Sequence, residues 1–151
     1  MQALTAVHGA FGAIWVVVAL ALGFYSTSLK SRAGQIKEQS HFRLLLTLSM
    51  VSRGTGGIAI ILGIAALVVD AVTGKLPSFS SAAGVALLIG IVLAFVAYGG
   101  FGEGMLMRGI RALRRSEPSG YAREIGRIRA YSWAMAITAL ITLVLMAVSA
   151  V

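Results

Sequence analysis

The sequence predicts an all-α membrane protein, a single up-and-down bundle of four transmembrane helices, on three observations. Of its 151 residues 58% are hydrophobic and 12% are charged, about half the charged share of a soluble domain (~25%). Four apolar runs, at about 4–26, 44–69, 81–107 and 131–150, are each long enough to cross a hydrocarbon core of about 30 Å at about 1.5 Å per residue. The connections between them alternate in charge, basic, nearly neutral, basic, which is the positive-inside pattern of a multi-pass protein of the cell membrane. That pattern puts the first and third connections in the cytoplasm and both termini outside.

The first run, "LTAVHGAFGAIWVVVALALGF", carries Thr5, His8, Gly12, Trp15 and Ala19 at steps of three and four, one stripe of a helix. Lys30 is the first basic residue, so the run lacks the basic start of a cleaved signal peptide and is expected to stay in the mature chain. The connection "TSLKSRAGQIKEQSHFR" sets Lys30, Arg32, Lys37 and Arg43 against Glu38. In the second run Arg53 stands about nine residues inside the apolar stretch. "DAVTGKLPSFS" then makes the short turn, with Gly and Pro as punctuation.

The third run ends in "YGGFGEGMLMRG", rich in glycine, with neither a preceding strand nor a following Lys-Ser/Thr to make a phosphate loop. Gly100 and Gly104 form a G-x-x-x-G, read as a mark of close helix packing. This helix is expected to run on past the membrane through "RGIRALRRSEPS" and to break at Pro118 and Gly120, with the next helix starting near Tyr121. Met135, Thr138, Thr142, Met146 and Ser149 form the matching stripe of the fourth run. Stripes of small and weakly polar residues face other helices, where backbones approach closely and hydroxyls find partners. Short connections make successive helices antiparallel neighbours.

Composition also closes off chemistries. The chain has no cysteine, which removes disulfides, thiolate metal sites and cysteine nucleophiles. Its net charge of +8 follows from topology, so nucleic acid is not the expected partner. Arg108, Arg111, Arg114, Arg115, Arg123, Arg127 and Arg129 crowd the third connection and suit anionic lipid head groups of the cytoplasmic leaflet, or an acidic partner surface. Glu103 and Asp70 belong to opposite membrane faces, and no serine, histidine and aspartate arrangement is readable.

Two constellations carry possible chemistry. His8 and Met146 fall at similar depths near the outer ends of antiparallel helices; imidazole and thioether together suit haem iron or soft copper. The competing reading is a hydrogen-bonded packing histidine. His41 lies about a bilayer away, so the two histidines cannot share a haem. Arg53 is costly at its depth unless it snorkels, pairs with Glu103 with help from Tyr98, or holds an anion such as a haem propionate.

At "HGAFGAIWVVV", with His8 and Trp15 seven residues apart, the chain resembles small four-helix membrane proteins of the copper-resistance-D-like superfamily, including DUF2269-type integral membrane proteins. "RIRAYSWAMAITALITLVLMAVSA" is similar to the last helix of the DUF2269-type proteins, with Met146 in its terminal position. Related membrane protoporphyrinogen oxidases share the first-helix histidine, and this implies haem ligation at His8. The function expected overall is that of a non-catalytic accessory or scaffolding subunit of a larger, respiratory or otherwise redox, membrane complex, joined to other subunits or to further copies of itself. The alternatives are a haem b or copper protein using His8 and Met146, and a small oligomeric transporter.

Overall fold

A computed structural model describes residues 2–31 and 39–149. Helices α1 (Gln2–Ser31), α2 (Gln39–Val72), α3 (Ala82–Phe95), α4 (Met107–Arg115) and α5 (Tyr121–Ser149) account for almost all of them, with a π-helical segment at Val96–Leu106 joining α3 to α4 and a 3-10 turn at Pro118–Gly120. Four helical rods of 28, 32, 34 and 27 residues are long and apolar enough to cross a membrane, the third being the continuous α3, π segment and α4. No strand occurs among the described residues. This is the all-α bundle of a multi-pass integral membrane protein. Arg32, Lys37 and Glu38 of the first connection, and Ala150 at the end of the fourth run, lie outside the described residues.

Each helix end follows from its local sequence. Gly74, at φ 67°, closes α2: its N–H donates to the Ala71 carbonyl, and the Lys75 N–H reaches back to Asp70 at 2.8 Å. This Schellman arrangement needs the left-handed conformation that glycine adopts without cost. Ser81 caps α3, its hydroxyl oxygen accepting from the Gly84 N–H at 3.1 Å. A side chain at Gly84 would overlap the Ser78 carbonyl, so the tight entry to α3 requires glycine there. The break at Pro118–Gly120 and the restart at Tyr121 stand where the sequence places them.

The third rod departs from a regular helix. In the π segment the Met107 N–H donates to the Gly102 carbonyl, five residues back, and at two positions the wide turn crowds a residue against the carbonyl five positions earlier. A Cβ on Gly104 would lie 3.1 Å from the Gly99 oxygen, and one on Gly102 3.4 Å from the Ala97 oxygen. Gly100 and Gly104 therefore do not mark a helix–helix contact: a Cβ on Gly100 would meet nothing within 4 Å, and Gly104 faces its own turn. Close interhelical approach is made elsewhere, by Gly23 under Trp133, Gly56 under Trp15, Gly63 under His8 and Gly109 under Ile128.

The helices pack in the ring order α1, α2, third rod, α5. Helix α1 packs along both α2 and α5, and α5 along α3, whereas α2 meets the third rod mainly through the π segment. At the end of the bundle that holds the arginines, here the basic end, Leu22, Leu45, Leu106, Ile110, Ile125, Ile128 and Met135 are almost fully buried in one core. This packing explains why the last helix starts ten residues before the fourth apolar run: Ile125 and Ile128 of its first turns complete the core. Toward the opposite, terminal end Trp15, Val16, Ala97 and Ala139 form a second, smaller cluster. Large apolar side chains such as Val17, Phe24, Ile61, Val92 and Val144 face outward, as a lipid-facing surface requires.

A lateral cavity and an intramembrane ion pair

Of the stripes foreseen on the first and last runs, Trp15, Ala19, Met135 and Thr142 are buried, His8, Gly12, Thr138 and Met146 are partly so and Thr5 is exposed, while the Ser149 side chain lies outside the described residues. The two stripes meet at a cavity. Its volume is about 270 Å³, and Thr5, His8, Gly12 and Trp15 of α1 line it together with Thr142 and Met146 of α5. Helix α2 adds Ala59, Gly63, Ile64 and Leu67, and α3 adds Ile91, Ala94 and Phe95. Helices α1 and α2, α1 and α5, and α3 and α5 pack closely along one another, whereas α2 and α3 scarcely meet. The cavity thus opens sideways between Ile64 and Leu67 on one side and Ile91 and Phe95 on the other.

His8 is held by the backbone of α2. Its Nδ1 lies 2.9 Å from the Ala59 carbonyl oxygen, which can only accept, so Nδ1 carries the proton and donates. Gly63 makes room for the ring: a Cβ there would stand 2.8 Å from the imidazole Cε1. Seven residues away on each helix the same device recurs, since a Cβ on Gly56 would stand 2.8 Å from the Trp15 indole. Two glycines on α2 therefore accept two large α1 side chains, and this sets the antiparallel register of the pair. The sequence pointed to His8 and Trp15 but not to Gly56, Ala59 and Gly63 as their sockets. The seven-residue spacing shared by the two pairs was the legible signal.

The expected ligand pair, His8 and Met146, shares the cavity wall. Met146 packs with its Cγ on the face of Gly90. Among the described residues no group of three or more His, Cys, Asp or Glu side chains gathers to hold a metal ion. His41 sits at the basic end, where the Tyr25 hydroxyl lies 3.1 Å from its Nδ1 and ties the end of α1 to the start of α2. The two histidines are far apart, as expected.

Arg53 and Glu103 form an ion pair between α2 and the π segment. The Arg53 side chain is 57% exposed and that of Glu103 29%, so the guanidinium pairs while also reaching out along the bundle surface; snorkelling and pairing are one arrangement here. Both line a second, much smaller cavity of about 10 Å³ with Ser49, Ser52, Tyr98 and Met135. Tyr98 stacks edge-on against Trp15, ring centroids 6.3 Å apart, and its hydroxyl sits over Gly57. Trp15 walls both cavities and separates the apolar one from the ion pair.

Six of the seven arginines of the third connection form two groups, and the seventh, Arg129 of α5, is half-buried. Arg123 and Arg127 both bind Glu124, at 3.3 and 3.2 Å, and Glu124 is itself buried. Arg108, Arg111, Arg114 and Arg115 are exposed on α4, whose Gly109, Ile110 and Leu113 face the core. Trp133, whose Nε1–H donates to Thr27 at 3.0 Å, locks α5 to α1 near this end. Comparison of the chain with protein-family models, with curated proteins and with solved structures gives no match to any of them.

Proposed function

We propose that this integral membrane protein is a non-catalytic, accessory subunit that holds a lipophilic ligand, drawn sideways from the bilayer into the cavity between α2 and α3. The observation that carries this reading is the cavity itself: apolar, about 270 Å³, open at an unpacked helix seam, with an oriented imidazole on its wall. Binding sites are concave and mostly apolar, with few, fixed polar groups, and usually span about 300–1,000 Å³. This one takes a compact head and lets a tail run out between the helices. Apart from His8, the described residues that line it include no acid, base or strong nucleophile, so holding rather than transformation is the activity it suits. The exposed arginines of α4 suit anchoring to anionic lipid head groups.

Extraction of the purified protein with organic solvent, followed by mass spectrometry, tests this. A lipophilic compound close to one per chain is expected from the wild type and is expected to be lost in Ala94→Leu, which fills the cavity from α3. The same unselective lipid mixture from both proteins overturns the reading.

A second reading, haem b or copper at His8 and Met146, draws on their shared cavity. The size of the cavity weighs against a porphyrin, which would force the helices apart. The lining also offers no lysine or arginine to hold propionates, Arg53 being on the far side of Trp15. A Soret band or bound copper in purified protein, lost in His8→Ala, would reverse this ranking.

A further inference from the structure

The hydrogen-bond directions on the cavity wall specify the head group of its ligand. Because the Nδ1–H of His8 donates to the Ala59 carbonyl, a neutral imidazole presents Nε2 as a lone pair, an acceptor only. Nε2 has no partner among the described residues, and it is the ring nitrogen left to serve the cavity that His8 lines. On the neighbouring helix α5 the Thr142 hydroxyl donates to the Thr138 carbonyl at 2.9 Å, so its oxygen too has only lone pairs left for the cavity it lines. Two acceptors on neighbouring walls of a lining that also holds the Trp15 and Phe95 rings match a flat ring that donates hydrogen bonds. We infer that the cavity selects lipophilic phenols, hydroquinones included, over the corresponding ethers and quinones, which can only accept.

This inference rests on the ligand-holding reading above and adds the chemistry of the head. A head that only accepts could take the buried Trp15 indole N–H, which has no partner among the described residues, but would leave Nε2 unpaired, whereas a phenol can serve both; buried polar groups without partners are costly. One good hydrogen bond more or less is worth about 1.4 kcal/mol or above, a tenfold change in affinity.

The test uses full-length Trp133→Phe protein in phospholipid nanodiscs, which leaves Trp15 as the single tryptophan of the two in the chain, and follows its fluorescence on titration with 4-nonylphenol or 4-nonylanisole. The two probes differ by one methyl group that removes the donor. The phenol is expected to bind at least about tenfold more tightly than the anisole, and His8→Phe is expected to bring the two together. Thr142→Val, which leaves His8 in place, is expected to narrow the difference in a protein whose fold does not depend on His8. Equal binding of the two probes, or tighter binding of the anisole, overturns the donor inference while the lipophilic site stands. Binding of neither probe, with no ligand recovered by extraction, overturns both.

Discussion

The two halves of the bundle interior are built by the same four rods and end differently. At the basic end all four close on one another, and Leu22, Leu106, Ile110, Ile125 and Ile128 are left with 2% exposure or less. At the terminal end the same rods surround a cavity of about 270 Å³. The difference lies in the third rod. Its π segment brings it against α2, where Glu103 meets Arg53 and Tyr98 covers Gly57, whereas α3 beyond it packs on α5 and leaves its seam with α2 open. Long π runs are rare in helices, and π turns concentrate at functional positions; here the π segment decides where the bundle is closed and where a cavity is left.

Substitutions that treat the halves alike should therefore act unequally. Ile128→Ala, in the closed half, is expected to lower stability by about 2–4 kcal/mol, because the neighbours cannot collapse into the space. Ile64→Ala, on the rim of the open cavity, is expected to cost less than about 1 kcal/mol, since no closed void is made. Thermal unfolding in detergent compares the two, and equal losses would mean that both halves are packed alike.

Arg53→Met leaves the Glu103 carboxylate partnerless at the level of the π segment. With both groups partly exposed the expected loss is about 1–2 kcal/mol, below that of a fully buried pair, and Arg53→Met with Glu103→Leu should recover much of it. A double variant as unstable as the single one would show that the pair does not join α2 to the third rod. Gly63→Ala sets a methyl against the His8 ring and is expected to cost about 1 kcal/mol as the imidazole shifts. Its sharper effect should be on the cavity: the Ala59 bond loosens, and the phenol-over-anisole preference weakens in the fluorescence titration. Unchanged preference would mean that the socket does not orient His8. Gly99→Ala, where a Cβ meets nothing within 4 Å, is expected to change stability by less than about 0.5 kcal/mol, and a larger loss would show that the π turn itself demands glycine there.

Much of this architecture was legible in residue order. Four apolar runs, the break at Pro118–Gly120 and the inward stripes from Thr5 to Ala19 and from Met135 to Met146 follow from length and periodicity, which depend on the bilayer and on the helix repeat alone. Arg53 and Glu103 were legible as a pair because charges at membrane depth have few alternatives. Gly100 and Gly104 were misleading, since a G-x-x-x-G marks a packing face only where the turn is α, and sequence spacing does not reveal a π turn.

By itself, then, the sequence determined that the chain spans a membrane four times and which faces of α1 and α5 turn inward, because hydrophobic length and period are properties of single segments. The tertiary structure alone decided that the His8 proton sits on Nδ1, that Gly63 makes room for its ring, and that the seam between α2 and α3 stays open. Each of these depends on the register between helices far apart in the chain, and that register is set by how large side chains find sockets across the bundle.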